Sequence, residues 1–102
     1  MDSKCGILFV RLFGELTNKT RKKMNDVLDF LINVGIKNVV FNLENVYRMD
    51  ISGFKSLIKC YDISSKYGGT SMICINKDKF DFDFEHFNVV SDELSAVNLI
   101  NI

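Results

Sequence analysis

Proline is absent from this sequence, and no low-complexity tract interrupts it. Histidine occurs once, as His86, and the three cysteines, Cys5, Cys60 and Cys74, are widely spaced with no C-x-x-C pair. An odd number of thiols cannot pair fully within one chain, and ligands for a zinc centre are too few and too scattered. The thiols read as buried or half-buried groups in a reducing cytosol. No apolar run approaches the roughly 20 residues that a membrane-spanning helix needs. Met1-Asp2-Ser3-Lys4 is short and polar and Arg11 interrupts the run Ile7–Phe13, so the start reads as neither signal peptide nor anchor. A charge excess is missing too: 13 basic residues balance 13 acidic ones, which gives no reason to expect nucleic acid as the main partner. The expectation is a cytoplasmic protein with no metal, no cofactor and no direct membrane insertion.

The parts of an enzyme are also missing. There is no G-x-S-x-G, no G-x-x-x-x-G-K-[ST] and no G-x-G-x-x-G, and His86 has no evident nucleophile partner. The expectation is a chain without catalytic residues.

What the sequence does have is apolar substance. Of 102 residues, 47% are hydrophobic and nine are Phe, enough for one core and too short a chain for two, so residues 1–102 read as a single domain. Cys5–Leu16 reads as a strand region punctuated by Gly6 and Gly14, with Gly14 placed to bend it or admit a bulge. Thr20 is placed to cap a helix over Arg21–Val34, where Met24, Val27, Leu28 and Leu31 recur at helical spacing and Gly35 supplies the stop. Arg21-Lys22-Lys23 sit in its first turn, where cations oppose the helix dipole; the patch reads as a solvated face or a partner-facing one. Lys37–Leu43 contains Val39-Val40-Phe41-Asn42-Leu43, without alternation, which suits a strand buried on both faces. A second helix spans Ile51–Tyr67, capped by Asp50 and stopped by Gly68-Gly69, and Thr70–Ile75 is another strand. Over Lys77–Phe87 the phenylalanines fit both a strand period and a helix face; its place in the order suits a short helix or turn in a crossover. Val89-Val90 is a minimal strand and Ser91 is placed to cap a last helix.

This alternation predicts an α/β fold with a mixed, mostly parallel sheet and right-handed crossovers. Sites in such folds gather in loops after the carboxyl ends of strands, and Asp50-Ile51-Ser52-Gly53-Phe54 lies in one. A phosphate on Ser52 would meet the free N–H groups of a helix start, yet it would add charge beside Asp50 and so expel a partner docked there. The alternative reading of the same residues is that Ser52 merely supports the cap.

Three segments resemble the STAS-domain family, the bacterial anti-sigma-factor antagonists. Val10-Arg11-Leu12-Phe13-Gly14-Glu15-Leu16 looks like the family's V-R-L-x-G-E-L. Ile36–Val46 is similar to its I-x-x-(I/V)-V-x-(N/D)-L-x-x-V. Met49-Asp50-Ile51-Ser52-Gly53 stands against M-D-S-S-G or M-D-S-T-G. Tyr67-Gly68-Gly69 followed by Met72-Ile73-Cys74 also fits, and the likeness runs over roughly residues 7 to 76. It implies a small α/β domain with helices mainly on one side of the sheet. It also implies a protein partner, an anti-sigma factor of the serine-kinase type, docked through Asp50, Ile51, Ser52, Gly53 and Phe54. The family's kinase phosphorylates the serine directly after the aspartate; here that residue is Ile51. Ser52, the remaining candidate for phosphorylation, is turned away by about 100° along a helix of 3.6 residues per turn. Thr17 stands where the family has an acid after G-E-L, and the segment after Cys74 is a few residues short. The resemblance leaves three readings: a docking module whose usual off-switch is missing, a STAS adaptor subunit of a transport or signalling assembly, and a phosphorylation switch using Ser52.

Overall fold

The computed structural model describes residues 2–4, 6–35, 38–66 and 69–100. In chain order these form β1 (Asp2–Lys4), β2 (Ile7–Leu16), α1 (Arg21–Val34), β3 (Asn38–Met49), α2 (Ile51–Ser65), β4 (Ser71–Cys74), β5 (Val89–Val90) and α3 (Glu93–Ile100). Single 3-10 turns occupy Asn18–Thr20 and Lys77–Lys79.

The sheet order is β1-β2-β3-β4-β5, with β1 antiparallel to β2 and the other pairs parallel. The strand order never reverses. Right-handed crossovers between successive strands therefore fall on one face. Met24, Val27 and Leu31 of α1 and Leu57, Cys60 and Tyr61 of α2 pack there against Leu8, Val10, Val39, Phe41, Leu43 and Ile73. The opposite face holds Ile7, Phe9, Val40, Met72 and Cys74 and is covered by Ala96, Val97 and Ile100 of α3. Helices on both faces explain why Val39–Leu43 are all buried, as the missing alternation predicts.

Some local expectations hold, such as the stop at Gly35 and an irregularity at Gly14, and others need correction. Asp2–Lys4, assigned to no element in the sequence reading, pairs with Ile7–Phe9 across a hairpin turn containing Gly6 at φ 76°. The second long strand runs past Leu43 to Met49, because β2 continues to offer a partner as far as Leu16. The β2–β3 register slips by one residue between Arg11 and Phe13 and again between Gly14 and Glu15, the extra residue falling on β3 each time, and Gly14 stands at φ 80° beside the second slip. Gly35 ends α1 in the left-handed region at φ 69°. Thr20 does not cap α1 with its side chain. Its hydroxyl is engaged by the N–H and carbonyl of Thr17, while the Thr17 hydroxyl accepts from the N–H of Lys19. Helix α2 ends at Ser65, and Tyr67 and Gly68, the expected end and half of the expected stop, lie outside the described residues. The cap of α3 falls to Asp92 rather than Ser91, with the Asp92 carboxylate accepting from Ser95 N–H at 2.8 Å. The short helix or turn expected in the crossover from β4 to β5 is there as Lys77–Lys79, but it covers only the start of Lys77–Phe87. This 3-10 turn is followed by irregular chain held by its phenylalanines, whose period-two and helical spacings are both incidental.

Candidate functional site: the corner between β3 and α2

Strand β3 passes into α2 with only Asp50 between them. Asp50 is extended (φ −104°, ψ 178°), and its backbone N–H donates to the Leu16 carbonyl at 3.2 Å. One carboxylate oxygen accepts from Gly53 N–H at 2.8 Å, the other from Asn18 N–H at 3.2 Å. One residue thus joins the ends of β2 and β3, the turn after β2 and the start of α2. The Gly53 hydrogen bond is the main reason that the Asp50 carboxyl is held below its ordinary range.

Gly53 is buried, and an added Cβ would lie 1.8 Å from the Leu16 carbonyl oxygen and 2.3 Å from its carbon. Only glycine lets the first turn of α2 press on the end of β2. Phe54 points inward as well, stacking on Phe82 at 4.6 Å and meeting Phe84 and Phe87 edge-on at 5.5 and 5.9 Å. That cluster pins the chain between β4 and β5 onto α2. Ser52 is half-buried, and its carbonyl accepts from the Ser56 hydroxyl at 3.1 Å. Ile51 alone of the five faces outward, 64% exposed at the head of the helix.

A profile of the STAS domain matches residues 1–92. The chain belongs to the STAS domain family. It is 31% identical over 75 residues to an anti-sigma F factor antagonist of Paenibacillus polymyxa, covering 72% of this chain and 64% of that protein's length, so the chain matches under two thirds of that relative. The solved structure of the anti-sigma factor antagonist SpoIIAA in its unphosphorylated form superposes with a TM-score of 0.73 at 16% identity, covering 99% of this chain and 94% of that one. A candidate anti-sigma factor antagonist of Thermotoga maritima reaches a TM-score of 0.81 at 13% identity, covering 99% and 92%. A sulfate transporter family protein of Wolinella succinogenes reaches 0.72 at 15% identity, covering 99% and 89%. At these identities the structural likenesses establish the fold.

Within this STAS fold, the five candidate residues divide into two sets. Ile51, with half-buried Asp50 and Ser52 beside it, forms the outer side of the corner, and Gly53 and Phe54 form its inner side. Two exposed aromatics escaped the sequence reading: Phe13 is 65% exposed and Tyr47 66%. They sit where β2 and β3 run on together beyond β4, whose pairing ends at Asn42. Tyr47 lies over Gly14, close enough that an added Cβ there would touch its ring at 3.7 Å. Gly14 directly after Phe13 was the available signal. Arg48 and Glu15 pair across the same ribbon at 3.5 Å.

Cys60 and Cys74 are buried, and burial pushes their thiols up to about 11 and about 12 respectively, so neither is a reactive thiolate near neutrality. Cys5 lies outside the described residues. Among the described residues no helix is long and apolar enough to cross a membrane, and no three His, Cys, Asp or Glu side chains converge as metal ligands would.

Proposed function

We propose that this STAS domain is a cytoplasmic, non-enzymatic protein-binding regulator of the anti-sigma-antagonist kind, docking a partner through the β3–α2 corner with Ile51 at the centre of contact. The observation that carries the reading is the exposure of Ile51: a large apolar side chain stands outward on a corner locked by Asp50 and Gly53. An apolar anchor held on a rigid element contributes contact area with little ordering cost. Asp50 and Ser52 flank it, while Gly53 and Phe54 hold it in place. Ile51 has no hydroxyl where the family's kinase transfers phosphate, so binding through this corner is not switched off in the usual way.

The test takes the anti-sigma factors encoded in the same genome as purified proteins, with ATP, and reads both binding and the intact mass of this chain. Tight binding without a gain in mass, weakened by Ile51→Asp, is the expected result. A phosphate that disappears in Ser52→Ala would replace this reading with the Ser52 switch. The fold likeness to a sulfate transporter family protein favours a second reading, an adaptor within a transport assembly. Co-purification with a membrane transporter in place of an anti-sigma factor would select it.

A further inference from the structure

Beside the corner lies a surface that the fold itself does not use. A cavity of about 240 Å³ opens between β2 and α1, lined by Leu12, Leu16, Met24 and Val27, with Thr20 of the preceding 3-10 turn and Lys23 of α1 beside them. It is continuous with the corner through Leu16, whose carbonyl receives the Asp50 N–H. Lys23 lines it, and Lys19, Arg21 and Lys22, exposed like Lys23, lie on the turn and helix start next to it in the chain. None of the four makes an ion pair among the described residues. Glu15, also on the rim, is taken by Arg48. The acids of α1, Asp26 and Asp29, come only after its first turn.

These cations stand in an unfavourable place. The first turn of α1 has no acidic residue and no side-chain cap from Thr20. Positive charge there opposes the helix dipole and slightly destabilises the fold. Folding gives no reason for three consecutive cations at this position; an anionic partner would.

We infer that the surface docking the partner extends from Ile51 to the first turn of α1 and is complementary to a protein segment that carries acidic residues beside one apolar side chain, the acids facing Lys19, Arg21, Lys22 and Lys23 and the apolar group entering the β2–α1 cavity. The inference rests on the docking reading given above and names the chemistry of the partner. An apolar-walled cavity of side-chain size distinguishes a protein from nucleic acid or an anionic membrane, which would use the cations alone. Opposed charge around an apolar anchor contributes association rate and selectivity.

The experiment measures affinity for the anti-sigma factor that binds the wild-type chain, at low and at high salt, for wild type, Ile51→Asp and the double variant Lys22→Glu/Lys23→Glu. Two acids at a helix start favour the fold, so the double variant is expected to melt no lower than wild type. It is nevertheless expected to bind roughly tenfold more weakly, with a shallower salt dependence. Unchanged affinity and salt dependence in the double variant, with binding lost in Ile51→Asp, overturns the inference and leaves the docking reading standing. Absence of binding by wild type to every anti-sigma factor overturns both. Cation-dependent binding of wild type to RNA or to phosphatidylglycerol vesicles, with no protein partner, overturns the acidic-protein assignment.

Discussion

The position where a Gly53 side chain would begin lies 1.8 Å from the carbonyl oxygen of Leu16. Backbone faces backbone there, so no rotamer change relieves the clash. Gly53→Ala must push α2 off the end of β2 and weaken the Asp50 hydrogen bonds that depend on that approach. The expected loss is roughly 3 kcal/mol, at the upper end for overpacking. Denaturant unfolding monitored by circular dichroism measures it, and a loss near zero would mean that α2 can retreat freely.

Asp50 gives the corner a pH dependence. Its folded-state pKa lies below its unfolded value, chiefly because its carboxylate accepts from Gly53 N–H. Its contribution is present in full above the ordinary aspartate range and is lost as pH falls through the depressed folded value. Asp50→Asn keeps a capping side chain and should flatten this part of the acid limb while costing less near neutrality than Asp50→Ala. Thermal melts between about pH 2 and about pH 7 separate the two variants.

Restoring a hydroxyl at position 51 tests whether the corner still has the form that an anti-sigma kinase reads. Ile51→Ser is expected to accept one phosphate from a kinase-type anti-sigma factor that binds the wild-type chain, with wild type gaining none. Intact-mass spectrometry reads the outcome directly. An Ile51→Ser chain that binds the kinase and stays unmodified would show that loss of the hydroxyl is not all that separates this corner from a substrate.

Phe54 and Phe82 stack at 4.6 Å, and the segment between β4 and β5 has little else in the way of regular structure. Truncating Phe82 to Ala should cost about 2 kcal/mol, less than for a fully buried ring because Phe82 is half-exposed. Amide hydrogen exchange should quicken between Phe80 and Asn88 before it does in β3. Uniform quickening across the sheet would contradict that local role.

The element order, the doubly buried strand and the Asp50 cap were legible because each has a local cause: helical spacing, an unbroken apolar run, a carboxylate before a helix. The crossover after β4 was not, since its phenylalanines are positioned by contact with Phe54, which is distant in sequence. The corner could be located, but its two sides could not be told apart. Gly53 reads as an ordinary helix-start residue until the Leu16 carbonyl is seen above it, and Phe54 reads as a surface anchor until Phe82 covers it. The α1 cations were visible as a charge run; the cavity beside Lys23 requires the packing of β2 against α1.

The pairing of β2 with β3 has a kinetic consequence. Ile7 lies opposite Asn38 and Leu16 opposite Met49, separations of 31 and 33 residues along the chain. That closure must be made before its contacts repay it, and α1, lying within the loop, shortens the distance to be searched. Helix α3, by contrast, docks onto a face that the assembled strands have already created. Truncations on the buried side of α1, such as Val27→Ala, should therefore slow folding, whereas Val97→Ala in α3 should chiefly hasten unfolding. Stopped-flow folding and unfolding rates would place the two helices on opposite sides of the rate-limiting barrier.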